Sequence, residues 1–85
     1  MSLSQITLYG TDWCAECRRS KRLMDELNVA YTVIDIENVP SACEKVKEIN
    51  DGLVAIPVIF FADGTHLTVP SDINLKAKLV ALGII

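Results

Sequence analysis

The sequence predicts an α/β fold, a four-stranded mixed sheet with three helices in the order βαβαββα. Three observations carry that expectation. Segments with the two-residue period of a strand alternate with segments of helical period, joined by short links. The apolar run Val58-Ile59-Phe60-Phe61 is followed within two residues by Asp63-Gly64, a strong hairpin signal. The 85 residues suit one domain over positions 1–85, and an apolar content of 51% is enough to build its core.

Taken in order, Gln5 to Tyr9 places Ile6 and Leu8 on one face of a first strand, while Met1-Ser2-Leu3 is given no structural role. Gly10-Thr11-Asp12-Trp13 reads as a loop, with the glycine turning the chain. The pattern becomes helical from Cys14. Cys17, Ser20, Met24 and Leu27 share a stripe widened by Leu23, and Arg18, Arg19, Arg22, Asp25 and Glu26 take the outer side. Asn28 suits a left-handed residue closing that helix. Val29 to Ile36 is a second strand, and the short strand–helix–strand links imply a right-handed parallel crossover. Pro40 fits the first turn of a second helix, and Ser41 and Glu44 have capping-box spacing. Val39, Cys43, Val46 and Ile49 form its expected inward stripe, and Asn50-Asp51-Gly52 stops it. Pro57 to Ala62 is a buried third strand, and Thr65 to Val69 a fourth, antiparallel to it. Ser71 or Asp72 caps the last helix, whose expected inner face is Ile73, Leu75, Leu79 and Leu82, with Gly83 closing it.

Composition narrows the function. A net charge of −3 argues against a nucleic-acid partner, which needs a basic surface. No apolar run approaches the roughly 20 residues of a membrane span. No charged segment followed by an apolar one opens the chain, which argues against secretion by that route. Three cysteines, Cys14, Cys17 and Cys43, are too few and odd in number for a secreted disulfide framework. A reducing, cytoplasmic location fits better. There, a C-x-x-C pair points to catalysis or metal binding.

Cys14 and Cys17 sit where the first strand hands over to the first helix, the setting of a thioredoxin-like redox site. Exchange needs a thiolate. Unpaired N–H groups at a helix N-terminus can hydrogen-bond the sulfur, and the dipole adds about 0.3–1 kcal/mol in favour of negative charge. Arg18 and Lys21, each about a turn beyond a cysteine, can contribute positive charge. The spacing assigns Cys14 as the exposed, attacking sulfur and Cys17 as the buried, resolving one. Glu16 works against a thiolate at Cys14 and favours a more reducing site. A zinc site would need four ligands. Beyond the pair only Cys43 and His66 remain, the first on an apolar stripe and the second just past a hairpin turn. Trp13 suits either an apolar shoulder for a partner disulfide or a loop aromatic covering the sheet edge.

On these residues the chain resembles the glutaredoxin branch of the thioredoxin superfamily, and within it the mycoredoxin-like proteins. The resemblance runs from Ile6 to about Leu82. It rests on Thr11-Asp12-Trp13-Cys14-Ala15-Glu16-Cys17, Val33-Ile34-Asp35-Ile36-Glu37, Ile56-Pro57-Val58, Phe61-Ala62-Asp63-Gly64-Thr65-His66-Leu67-Thr68 and Pro70-Ser71. It implies a thioredoxin-like fold and a cis peptide bond before Pro57. Such a bond would leave the backbone of Ile56 open to an incoming peptide or thiol. It also implies a substrate groove bordered by Thr11, Trp13, Lys21, Ile56, Pro57, Ser71 and Asp72.

The sequence also departs from the family pattern. Glutaredoxins hold the γ-glutamyl end of glutathione at a Gly-Gly turn, where this chain reads Thr68-Val69-Pro70-Ser71-Asp72. Loss of the two glycines suits a different low-molecular-weight thiol, with mycothiol implied by the closer resemblance. The middle pair Ala15-Glu16 is neither Pro-Tyr nor Gly-Pro.

The expected activity is therefore that of a monomeric thiol–disulfide oxidoreductase without a tightly bound cofactor. Its partners would be disulfide-containing proteins, mycothiol or glutathione as co-substrate, and a thioredoxin-type reductase. Two other readings stand beside it. One is a metal-binding module sharing an iron–sulfur cluster through Cys14. The other is a redox-regulated binding protein whose pair oxidises only to change its partner.

Overall fold

A computed structural model describes residues 5–85, so Met1-Ser2-Leu3 lies outside it. The sheet is laid around β1 (Ile6–Gly10), followed by α1 (Ala15–Glu26), β2 (Thr32–Asp35), α2 (Pro40–Ile49), β3 (Val58–Phe61), β4 (His66–Thr68) and α3 (Asp72–Ala81). Strand order is β2-β1-β3-β4. β1 runs parallel to β2, with Tyr9 opposite Ile34, and antiparallel to β3, with Leu8 opposite Ile59. β4 returns antiparallel to β3 through the Asp63-Gly64 turn. The predicted mixed sheet and element order are both observed.

Alternation along the strands divides the core in two. Ile6, Leu8, Ile59 and Phe61 face Met24 of α1 and Leu75 and Leu79 of α3. Tyr9 and Val58 face Ala42 and Val46 of α2. The sheet is thus covered by α1 and α3 on one face and by α2 on the other. Tyr9 also packs edge-on to Phe60, and the Lys45 ammonium lies 4.5 Å from the Phe60 ring centre.

All three helices end in the same way. A left-handed residue follows each C-cap: Asn28 at φ 57°, Asp51 at φ 55° and Gly83 at φ 73°. The next N–H then bonds back five residues: Val29 to Met24, Gly52 to Lys47 and Ile84 to Leu79.

Five expectations are corrected. β2 is shorter than Val29–Ile36, because Val29 belongs to the α1 terminator and is buried in the first cluster. β4 is likewise shorter than Thr65–Val69, ending before Val69 turns left-handed. The Ser41–Glu44 capping box does not form. Pro40 occupies the first helical position, Val39 becomes the N-cap, and Ser41 falls inside the helix. Val39 is consequently exposed, and Ala42 joins Val46 on the buried face with Cys43 and Ile49 half-buried beside them. On α3, Ser71 is the cap, its hydroxyl accepting the Asn74 N–H at 3.1 Å. Ile73 is 81% exposed, because it stands about 200° around the helix from Leu75.

That correction has a direct consequence for stability. Leu79→Ala should cost about 2–5 kcal/mol in urea unfolding, whereas Ile73→Ala should change the unfolding free energy by no more than about 0.5 kcal/mol.

Candidate active site

Cys14 is the N-cap of α1, in extended conformation, with no side chain capping the first N–H groups. Its thiol is half-exposed at the mouth of the helix, and it donates a weak hydrogen bond to the Ile56 carbonyl at 3.8 Å. One turn on, Cys17 lies fully buried on the face shared with Ser20 and Met24. Both are free thiols. The burial difference follows from helical geometry: a step of three residues carries the chain from the helix mouth to the face pressed against the sheet.

Gly10 makes room for the buried sulfur. A β-carbon on Gly10 would lie 2.5 Å from Cys17 Sγ, well inside contact distance. Gly10 is the last residue of β1 and is not among the residues with positive φ, so its role is close approach rather than turning the chain. The Thr11 N–H is hydrogen-bonded to the same sulfur. Burial is the main reason that the Cys17 thiol is pushed up to about 11. The Thr11 N–H opposes the rise, the hydrogen bond and charge of Cys14 add to it, and the Lys21 ammonium opposes it again. The Cys17 thiol is therefore held protonated.

The predicted groove residues are arranged as follows. Thr11 is buried, and its hydroxyl has no partner, so its visible contribution is its backbone N–H rather than a solvent-facing side chain. Trp13 is 66% exposed, and its indole N–H donates to Glu37 Oε1 at 3.1 Å. This holds the ring in solvent beside Cys14 and away from the core. Lys21 is mostly covered and lies 3.9 Å from the Asp12 carboxylate. The Ile56–Pro57 bond is cis, and Pro57 is fully buried. Pro57 O accepts the Val69 N–H at 2.8 Å, tying the loop before β3 to the turn before α3. Ser71 is occupied in capping, and Asp72 pairs with Arg19 at 3.5 Å. Cys43 packs against the second core cluster, and His66 stacks on Phe60 at 5.6 Å.

Three residues the sequence did not single out for the site emerge here. Gly10 seats Cys17. Arg19 pairs with Glu16 at 2.6 Å, pairs with Asp72 and donates to Pro70 O at 3.4 Å, so it joins α1 to the turn before α3. Its guanidinium offsets the Glu16 carboxylate that was expected to work against a thiolate at Cys14. Val69 is a β-branched residue at φ 46°, a strained conformation held by its hydrogen bond to Pro57. The sequence signal for it was the turn Thr68-Val69-Pro70-Ser71-Asp72, which lacks the two glycines expected from the resemblance.

Comparison with known proteins places this geometry in context. The glutaredoxin family model matches residues 6–67. Mycoredoxin 1 of Corynebacterium glutamicum is 39% identical over 80 residues, covering 94% of this chain and 99% of that protein. The crystal structure of a glutaredoxin from Archaeoglobus fulgidus superposes with a TM-score of 0.74 at 25% identity, over 89% of this chain and 86% of that one. NrdH-redoxin from Escherichia coli, described as a glutaredoxin-like protein with a thioredoxin-like activity profile, gives a TM-score of 0.68 at 25% identity, over 84% and 91% of the two chains.

Two predictions test the seat of Cys17. Gly10→Ala should destabilise the protein by about 1–3 kcal/mol through overpacking, read from urea unfolding, and should slow closure of a Cys14–Cys17 disulfide. The second concerns pH. The unfolded Cys17 titrates near its ordinary 9.0 and the folded one near about 11, so the unfolded chain releases its proton first. Stability of the dithiol protein should be full below about pH 9 and decline as pH rises toward 11. Tyr31, raised to about 12 by burial and by its hydrogen bond to Asp25, adds a further decline between about 10 and 12. Cys17→Ser should remove the earlier part of the decline and leave the later part.

Proposed function

This chain belongs to the glutaredoxin family, and from that premise we propose that it is a small dithiol thiol–disulfide oxidoreductase using Cys14 as nucleophile and Cys17 as resolving cysteine. The observation that carries this reading is the division between the two sulfurs. One stands half-exposed at an uncapped helix N-terminus, and the other is buried one turn behind it with its proton retained.

In the proposed sequence the Cys14 thiolate attacks one sulfur of a substrate disulfide. The substrate S–S bond breaks, and the departing sulfur takes up a proton as a thiol. A mixed disulfide on Cys14 remains. Cys17 then loses its proton and attacks Cys14 Sγ, expelling the second substrate thiol. The protein pair is oxidised, and the substrate has gained two electrons and two protons. Two of the influences raising the Cys17 thiol come from Cys14 itself, its hydrogen bond and its charge. The charge is lost once Cys14 is bonded in a mixed disulfide, which removes one of the influences that raise the resolving thiol.

Regeneration requires an external reductant. We assign that role to a low-molecular-weight thiol, mycothiol or glutathione, with a thioredoxin-type reductase as the other source. Thr11, Trp13, Lys21, Ile56, Pro57, Ser71 and Asp72 are the proposed borders of the groove that receives thiol or protein. Support for mycothiol comes from the likeness to mycoredoxin 1 and from the turn at Val69-Pro70.

Mass spectrometry during reduction of a model disulfide tests the assignment. Cys14→Ser should abolish turnover. Cys17→Ser should still attack but accumulate a mixed disulfide on Cys14. Full turnover by Cys14→Ser, or an adduct found on Cys17 instead, would refute it.

A further inference from the structure

The chain has three arginines, Arg18, Arg19 and Arg22, and all three line one groove on the outer face of α1 together with Ala15 and Glu16. Positions 15, 18, 19 and 22 follow the helical repeat of a single face, opposite the buried face of Cys17, Ser20 and Met24. Ala15 is the small residue of the set, directly after Cys14, so the groove opens beside the half-exposed sulfur.

The placement of Arg18 and Arg22 has no structural explanation. Arg19 is engaged by Glu16, Asp72 and Pro70 O. Arg18 and Arg22 are exposed and make no ion pair among the described residues. They stand four apart, where like charges repel. They also miss the last turn of α1, which carries no basic residue and is where the helix dipole would favour one. The chain as a whole is acidic, at −3. Its other cations are lysines, whereas arginine offers the planar fork that grips carboxylates in pairs. Asp12, almost fully exposed, and Glu37, which holds Trp13, are not among the residues that line the groove, where Glu16 is the one carboxylate and is engaged by Arg19. The positive charge of α1 would therefore attract an acidic segment beside Cys14.

We propose that the arginine groove of α1 docks an acidic segment of the disulfide-bearing partner protein, aligning that partner's disulfide with Cys14. The proposal rests on the oxidoreductase reading and adds to it the charge of the partner and the direction of its approach.

Two synthetic peptides test it. They share one intramolecular disulfide ring, flanked in one by glutamates and aspartates and in the other by lysines. Prereduced protein is mixed with each oxidised peptide, without other reductant, and quenched in acid. Transfer converts the peptide disulfide to two thiols and the protein dithiol to a disulfide, so both products are counted. At low salt the acidic peptide should react about tenfold faster, and the advantage should shrink toward unity near 0.5 M salt. Arg18→Gln with Arg22→Gln should erase the preference, and Arg18→Glu with Arg22→Glu should invert it, each variant first shown to be folded by circular dichroism. Equal rates for the two peptides, or a preference that survives both double variants, would overturn the docking proposal while leaving the oxidoreductase intact. Transfer to neither peptide would overturn the reading beneath it. Inhibition of the acidic peptide by oligothymidylate, at lower charge concentration than by a cysteine-free acidic peptide, would assign the groove to nucleic acid instead.

Discussion

The constraint on which the site depends is the seat of one sulfur inside the core. Cys17 is fully buried, yet it carries a group that can ionise. Burial alone disfavours its thiolate, so the thiol keeps its proton. The structure supplies two groups that work the other way, the Thr11 N–H and the Lys21 ammonium, and it supplies space by leaving Gly10 without a side chain. β1 thus does more than pair with two strands. Its last residue and the one after it form the floor beneath the cysteine helix.

A second set of contacts closes the site on its far side. The cis Ile56–Pro57 segment receives the weak hydrogen bond of Cys14 on one carbonyl and the Val69 N–H on the next. Arg19 reaches from α1 to Pro70 and Asp72. The turn before α3 is therefore held from both directions, by the loop entering β3 and by the cysteine helix. The left-handed Val69 sits between these ties. A valine adopts that conformation at some cost, and the 2.8 Å hydrogen bond to Pro57 is the visible compensation. Glu16 and Asp72 share one guanidinium, so the bridge between the two cysteines and the start of α3 are electrostatically linked.

Charge is distributed unevenly about this frame. All three arginines line one groove on α1, while Asp12 and Glu37 are not among the residues that line it. Arg19 serves the fold through its ties to Pro70 and Asp72, but nothing in the fold requires Arg18 and Arg22 beside it. Core packing uses the opposite face of α1, and the helix would be better served by basic residues in its last turn.

The element order, the parallel crossover, the hairpin and the helix stops at Asn28, Asp51 and Gly83 were legible in the sequence, because each rests on local chemistry: apolar period, turn residues and tolerance of left-handed backbone. So were the C-x-x-C pair and its exposed-then-buried order, which three residues of helix impose. Exact faces and caps were less secure. Ile73 looked like core because it is apolar, but the phase of α3 is set by Leu75 and Leu79 packing on Ile59 and its neighbours, and no local rule reports that phase. Pro40 displaced the expected cap because two local signals competed over a single residue of register. What tertiary structure alone decided are the contacts between distant segments: Gly10 under Cys17, Trp13 to Glu37, Pro57 to Val69, and Arg19 across to Asp72. Each joins residues that meet only after the sheet has ordered its strands. Local sequence determined that a sulfur would stand at the helix mouth, and the packing of remote elements determined what surrounds it.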